Sequence, residues 1–473
     1  MSPQPNILFI MTDQQRFDAL SCAGSWVATP NLDRIAARGT RFCNAYTNST
    51  VCVPTRASLA TGCYPHTTGV WDNVRFDLSP SAPTWMQAVR AAGYRTSLFG
   101  KTHLHRHTGD LREREHLMHA YGLDDVDEIG GPRASTRVLS HLTARWQERG
   151  LWEHYQEDYR ERFADMPHMV RTSPLPLEEY ADVYVGQQAK RYLESYARDQ
   201  PWFCWVSFGG PHEPWDTPEP WHSRYAPEDM PAAIPRAEWM DSSDQGLAKR
   251  CARPPDGYTP AEAAAMRANY AANVALIDDQ VGQILDLLEE RGELEHTAIV
   301  FTSDHGEHNG DHGLIYKGTF LDPSARIPLL VSRPGDPGGQ VADTPCELLD
   351  LGATMAELAG AELDFAQFSR SLLPACTDPG VQVRDYAVSE HRGELMLATR
   401  EYKLLLKRDG QPYALLDRKA DPDEQHDLST DPAHRHTLTE LRLAAQEFLL
   451  ANQLTRPREF CARDEDLTAP VLV

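Results

Sequence analysis

The sequence predicts an α/β protein: a large, mixed but mostly parallel sheet sandwiched by helices, followed by a smaller C-terminal α+β domain. Three observations carry that expectation. Short, nearly uninterrupted apolar runs recur along the first three-quarters of the chain, as strands buried on both faces do. Segments with helical spacing separate the runs, the alternation expected of a layered α/β fold. After about residue 375 the chain changes to short strand-like segments joined by glycine-containing turns.

The predicted strands are residues 6–12 (NILFIMT), 94–99 (YRTSLF), 202–208 (WFCWVSF), 298–303 (AIVFTS) and 328–332 (PLLVS). Between them, Trp85, Val89 and Ala92 mark the inward side of a short helix over 84–92. Tyr270, Val274, Ile277, Val281, Ile284 and Leu288 step by four and three, tracing one apolar face of a long helix. Gly292 supplies its stop. Residues 105–170, rich in charge and histidine, read as an insertion. Residues 211–260 carry many prolines with Trp215, Trp221 and Trp239, and read as ordered loops over a site rather than core. In the C-terminal part, turns fall at Arg392-Gly393 and Asp409-Gly410, a final helix covers about 438–450, and 455–473 reads as an arm. The expected domains are 1–375 and 376–473.

A chain of 473 residues is long enough for two or so domains. A formal charge of −23 argues against binding a nucleic-acid backbone, while leaving room for a local basic pocket around a small anion. The opening MSPQPNILFIMTDQQ lacks the basic, apolar and small-residue regions of an export signal. No apolar run reaches the roughly 18 residues of a membrane span. Nine scattered cysteines, an odd number, read as reduced thiols. A cytoplasmic protein without membrane contact is expected.

The functional signal is positional. The first strand runs into Asp13 and Gln14, the second into Lys101 and His103, the third into His212, and the fourth into Asp304 and His305, with Lys317 following in GDHGLIYKG. In an open α/β sheet, ligands bind beyond the carboxyl ends of strands. Asp13, Gln14, Asp304 and His305 offer three oxygens and one imidazole, a donor set for a hard or borderline divalent cation. Singly, each could be a helix cap or turn residue. Lys101, His103, His212 and Lys317 would bind an anion and move protons. His105, His107, His308 and His312 receive no role.

Cys52, in CVPTRASLATG, stands apart from these runs. A thiolate phosphatase loop needs five residues between Cys and Arg, and only three separate Cys52 from Arg56. Cys43 and Cys63 lie at the wrong spacing for a zinc site. A buried packing cysteine remains open on these grounds.

Cys52-Val53-Pro54-Thr55-Arg56, followed by Thr61-Gly62, resembles the C-x-P-x-R signature of the type I, formylglycine-dependent sulfatases of the alkaline phosphatase superfamily. NILFIMTDQQ, TPNLDRIAARGTRFCNAYTNSTVC, GKTH, PHEPW, SDHGEHNGDHGLIYKG with ARIPLLV, and KLLLKRDGQPYALLDRKADPDEQHDLSTDP resemble further segments of that family in the same order. Residues 105–200 and 215–260 match least. The resemblance implies hydrolysis of sulfate monoesters, as in arylsulfatases, on an alkaline phosphatase-like fold. It implies that a formylglycine-generating enzyme oxidises Cys52 to formylglycine. It further implies a metal ion held by Asp13, Gln14, Asp304 and His305, and a nucleophile at residue 52 stabilised by Arg56. Lys101, His212 and Lys317 would bind sulfate oxygens, with His212 or Lys317 as acid for the leaving group and His103 as base.

Two departures bear on substrate and metal. Many sulfatases pair two Asp where this chain has Asp13-Gln14, and have Asn in place of His305. The variants found here resemble the phosphonate monoester hydrolase branch and favour manganese over calcium. Lys101 and His103, both present, resemble the sulfatases proper. The expected substrate is therefore a small sulfate ester. A phosphonate monoester or phosphodiester hydrolase on the same scaffold is the nearest alternative, and an inactive binding protein with unmodified Cys52 the alternative from another class. The tail beyond residue 455 could join a neighbouring subunit in a homo-oligomer.

Overall fold

The computed structural model describes residues 4–73, 76–165, 168–197, 199–242, 258–456 and 458–461. Its centre is an eight-stranded sheet. Chain order runs β1 (Asn6–Asp13), helix α1 (Pro30–Arg38), β2 (Thr40–Phe42), β3 (Ala45–Tyr46), α2 (Cys52–Thr61), α3 (Trp85–Ala91), β4 (Arg95–Gly100), β5 (Asp125–Glu128), α4 (Ala181–Ser195), β6 (Trp202–Pro211), α5 (Pro260–Glu290), β7 (Thr297–Ser303), β8 (Leu329–Ser332) and β9 (Gln340–Ala342). The spatial order is β5-β4-β6-β1-β7-β8-β2-β9. From β5 to β7 every pairing is parallel.

The predicted strands all form, one of them as the antiparallel member of the mixed sheet, and one other expectation is corrected. The segment at 328–332 enters the sheet antiparallel to β7 and to β2. Only short helical turns lie between Ser303 and Leu329, so no long helix carries the chain back for a parallel entry. Residues 105–170 are not a detached insertion, because β5 extends the sheet edge, pairing Asp125–Glu128 with Ser97–Gly100. Its sequence, DVDE, is that of a charged edge strand, and it lacks the apolar run by which central strands are read.

Alternation along β1 builds the core. Ile7, Phe9 and Met11 face one layer with Trp85, Phe203 and Trp205. Leu8 and Ile10 face the other, with Leu276, Ile277 and Ile284 of α5. Phe9 stacks on Trp205 at 5.4 Å between ring centroids. Helix α5 starts at a reciprocal capping box between Thr259 and Glu262, with Pro260 in its first turn. It is buried over more than the one face expected: Met266, Asn269 and Asn273 are covered as well.

Asn273 is covered by Tyr180 and Asp182, and the rest of that extra burial comes from the proline-rich stretch, which is itself core in part. Trp215 lies among Met266, Tyr270, Val274 and Ile315, stacked on Tyr316 at 5.8 Å. Trp239 is buried in another cluster and donates to the Glu424 carbonyl at 2.9 Å. Trp221 is the partly exposed member of the three. The remainder of that stretch, 243–257, lies outside the described residues.

A separate sheet of β11 (Ala387–His391), β12 (Glu394–Ala398), β13 (Tyr402–Leu406) and β14 (Pro412–Asp417) is antiparallel throughout. A two-stranded parallel ladder pairs β3 with β10 (Cys346–Glu347). One face of the antiparallel sheet packs on Tyr46, Phe320 and Leu321. The other packs on Leu441, Ala445 and Phe448 of the final helix (Arg435–Ala451). Residues 458–461 turn back onto their own chain: Phe460 is buried and its carbonyl accepts from Ser79 N at 2.8 Å. Residues 457 and 462–473 of the expected arm lie outside the described residues. No helix among the described residues is long and apolar enough to cross a membrane.

One buried carboxyl in the proline-rich stretch makes a pH prediction. Asp216 accepts from Tyr180 Oη at 3.1 Å, and burial pushes its carboxyl up to about 7, against about 3.9 in an unfolded chain. Between those values the unfolded chain releases a proton that the folded chain keeps. Stability attributable to Asp216 is therefore greatest below about pH 4 and falls as pH rises toward about 7. D216N should flatten that fall when urea midpoints are compared at about pH 4.5 and about pH 7.5. Identical pH slopes in the two proteins would contradict the assignment.

Candidate active site

Four strand ends and one helix start meet at a single point. Cys52 is the first residue of α2, whose ten residues are all buried. Its opening turn is well suited to helix initiation: Pro54 lacks only an N–H that has no helical partner, and the Val53 N–H donates to Asn73 Oδ1 at 2.9 Å. The Cys52 Sγ lies 3.1 Å from His305 Nε2, 3.8 Å from Asp13 Oδ1 and 4.0 Å from Lys101 Nζ. Burial and Asp13 oppose ionisation of this thiol, but Lys101, Lys317 and His305 together hold it below its usual value.

Arg56, one turn along α2, is completely buried. Its Nε donates to Asp304 Oδ2 at 2.8 Å and its Nη2 to Asp13 Oδ2 at 3.2 Å. Nη1 donates to the Lys101 carbonyl at 2.8 Å and to Ser207 Oγ at 3.2 Å. One side chain thus ties α2 to the ends of β1, β4, β6 and β7. Lys101 reaches Asp13 Oδ2 at 2.5 Å. Burial pushes the Asp13 carboxyl up, yet Lys101, His212, Arg56 and Lys317 outweigh it and hold it well below the ordinary range.

Gly100 makes the Lys101 turn possible. Its φ is +116°, and a Cβ there would sit 1.8 Å from the Ser207 carbonyl oxygen. Lys101 N donates to that same oxygen at 2.9 Å.

Asp13, Cys52, Asp304 and His305 present ligand atoms that all lie within 4.8 Å of one another. His305 Nδ1 donates to the Gly306 carbonyl at 3.0 Å, which leaves the Nε2 lone pair turned into the cluster, as in a metal-binding histidine. Two carboxylates and one so-oriented imidazole fit a divalent cation.

Gln14 is placed beside this set. Its backbone, in the left-handed region at φ 72°, donates to Asp304 Oδ1 at 3.0 Å. Its carboxamide nitrogen donates to Glu213, at 2.8 Å, and to Glu307, and the oxygen that would serve a metal accepts from Lys317 Nζ. Lys317 Nζ is also 2.7 Å from His212 Nε2, and His212 Nδ1 donates to the Glu213 carbonyl at 2.7 Å. Burial pushes the His212 imidazole down to about 3. Burial opposes the Lys317 charge, but Cys52, Glu213 and Asp13 raise it above its ordinary value. With residue 52 as a thiol, these directions favour the proton of this pair on Lys317. His103 lies by Lys101 with Nδ1 buried and without a hydrogen-bond partner among the described residues. Its ring packs 4.6 Å from that of His107.

Glu213, Glu307, Ser207 and Arg133 escape a reading of the sequence. Arg133 pairs with Glu213, and burial, reinforced by Glu213, pushes the Glu307 carboxyl up to about 7. Glu213 in PHEPW and Glu307 in SDHGE sit within motifs whose histidines draw the attention, and adjacency in sequence was their only signal.

The chain is similar to known proteins over most of its length. Residues 5–361 match the family model described as Sulfatase, and 310–449 match the one described as N-sulphoglucosamine sulphohydrolase, C-terminal. The choline-sulfatase of Rhizobium meliloti (strain 1021) is 30% identical over 92% of this chain and 83% of its own. The arylsulfatase of Clostridium perfringens (strain 13 / Type A) is 28% identical over 93% of both. The crystal structure of the phosphonate monoester hydrolase of Agrobacterium radiobacter superposes with a TM-score of 0.73 at 25% identity, covering 95% of each chain.

Removing the central guanidinium should be costly. Arg56→Ala leaves Asp13 and Asp304 buried without their shared cation, and a loss of about 3–5 kcal/mol is expected in urea unfolding. Arg56→Lys should recover less than half of it, since one ammonium cannot reproduce the fork. A lysine variant as stable as the parent would contradict the bridging role.

Proposed function

The chain belongs to the sulfatase family, with the alkaline phosphatase-like fold and sulfuric ester hydrolase activity that go with it, and from that premise we propose that it hydrolyses small sulfate monoesters in the manner of an arylsulfatase. The observation that carries this reading is the position of Cys52, at a helix start within 3.1 Å of His305 and beside Asp13, Lys101 and Lys317. Once oxidised to formylglycine by a formylglycine-generating enzyme, residue 52 would supply a hydrated aldehyde as oxygen nucleophile, and a calcium or manganese ion, when bound, would supply Lewis-acid activation.

Asp13, Asp304 and His305 would hold that ion, and Gln14 would share its carboxamide oxygen with Lys317. Arg56 touches both carboxylates but faces no opening, so we assign it as a positioning residue. Lys101 and Lys317 supply positive charge for the sulfate oxygens. Lys317, which carries the proton, is the acid for the leaving oxygen; His212, neutral and fixed by the Glu213 carbonyl, orients it. His103, with its unpartnered Nδ1, is left as base for the second hydroxyl of the hydrate. We assign residues 1–375 to the catalytic domain and 376–473 to the smaller one, in a cytoplasmic protein.

Gln14 and His305 support a second reading, a phosphonate monoester or phosphodiester hydrolase on the same scaffold. The two are separated by kcat/KM on 4-nitrophenyl sulfate and on an aryl phosphonate monoester. The proposal expects the sulfate to lead by more than about tenfold, roughly 1.4 kcal/mol of transition-state stabilisation, and a preference for the phosphonate would overturn it. Cys52→Ala should lose turnover with the fold unchanged by circular dichroism, and mass spectrometry of the residue-52 peptide should show aldehyde in the active protein. An active preparation carrying only thiol at that position would refute the scheme and reopen the reading as a thiol-bearing protein. Lys317→Ala should lose about 10²–10⁴ in rate, more on an alkyl sulfate than on 4-nitrophenyl sulfate, whose leaving group needs no proton. Equal losses on the two esters would remove Lys317 from the acid's role.

A further inference from the structure

The loop that leaves β4 carries histidine at every second position, 103, 105 and 107. The latter two have no part in the chemistry at Cys52. They converge on Glu128, the last residue of the edge strand β5, and all three side chains are buried. His105 Nε2 lies 2.6 Å from one carboxylate oxygen and His107 Nε2 3.2 Å from the other. Thr102 Oγ1 donates to the same carboxylate.

The other ring nitrogens decide what this cluster needs. His105 Nδ1 lies 3.0 Å from the Arg106 carbonyl, and His107 Nδ1 3.2 Å from the Gly130 carbonyl. A carbonyl oxygen only accepts, and so does an ionised carboxylate. Each neutral imidazole has a single N–H for two acceptors, so each is left with a lone pair pressed against an oxygen. Relief requires added positive charge: one extra proton on each ring, or one cation shared by both rings and the carboxylate. With Nδ1–H on the carbonyls, the two Nε2 lone pairs and Glu128 point to the same space, and their ligand atoms lie within 4.8 Å of one another.

We infer that His105, His107 and Glu128 form a second metal site, separate from the Asp13–Asp304–His305 cluster, for a borderline divalent ion such as zinc. Two imidazoles and one carboxylate with a fourth position open is a zinc donor set. Neighbouring ligand atoms in a tetrahedral zinc site are about 3.3 Å apart. His107 Nε2 stands at about that separation from one Glu128 oxygen, and His105 Nε2, 2.6 Å from the other oxygen, must open by about 0.7 Å where that oxygen is the ligand. Backbone carbonyls on Nδ1 are the usual outer partners of metal-bound histidine. The ion would clamp the 101–107 loop to the sheet edge, one ring away from His103, and so hold Lys101 and His103 in place.

The test counts metal on the full-length protein. Chelator-stripped protein is titrated with Zn²⁺, and bound metal per chain is measured by mass spectrometry after desalting. The parent should hold one equivalent more than E128Q or H105A/H107A, whereas D304N should lose a different equivalent. Co²⁺ in place of Zn²⁺ should give visible absorption of a four-coordinate site, absent in E128Q and kept in D304N. Because Gln matches Glu in shape, E128Q decides the matter if the double variant does not fold. Unchanged metal content and cobalt spectrum in E128Q would overturn the inference, and so would a parent that takes up no metal beyond what D304N removes.

Discussion

The guanidinium of Arg56 is the member on which the rest of the site depends. It is wholly buried and spends its donors on two carboxylates, a carbonyl and a hydroxyl contributed by four different strand ends. A buried cation of this kind is tolerable only when surrounded by acceptors, and the acceptors in turn are tolerable only because of the cation. That mutual requirement fixes the spacing of β1 and β7 relative to α2 more tightly than apolar packing could, since packing is indifferent to rotations that a forked hydrogen bond is not. Cys52 inherits its position from this arrangement.

Around that centre the charges alternate. Lys101 sits on Asp13, Lys317 on Gln14 and His212, Gln14 on Glu213 and Glu307, and Glu213 on Arg133. A continuous chain of partners runs from the metal-type cluster outward, and a change at one link is felt at the next. The acid–base character of Lys317 and His212 is a property of the chain rather than of either residue: burial alone would discharge both, and the neighbouring anions restore the charge to the lysine only. The Glu128 cluster follows a different logic, with acceptors outnumbering protons.

Much of this was legible in the sequence because it is written at strand ends. Runs such as NILFIMT and AIVFTS announce buried strands, and the polar residues that follow them have nowhere to go but the sheet's carboxyl edge. Asp13, Lys101, His212, Asp304 and His305 were found that way, and the C-x-P-x-R signature added Cys52 and Arg56. Direction and depth were not legible. Whether 329–332 runs up or down depends on a connection whose short turns leave little periodic trace, and DVDE at β5 reads as surface because three of its four residues are acidic, although none is exposed. Trp215 reads as a loop residue from its prolines and is core from its contacts with Tyr316 and Met266. Glu213 and Glu307 matter only because the fold brings them to Gln14 from β6 and from beyond β7, a proximity that no local pattern encodes.

Helix α2 is covered on every side, and Cys52 is 1% exposed. A macromolecular catalyst cannot reach a residue in that setting without dismantling the sheet's edge and breaking the Arg56 fork. An enzyme that alters residue 52 would therefore have to meet CVPTR before the chain folds around it. Under the proposed maturation, conversion would fall in the interval between the emergence of α2 and the arrival of β7 some 240 residues later. A molecule that folded ahead of that maturation would seal its thiol in, so folding speed would cap the fraction converted.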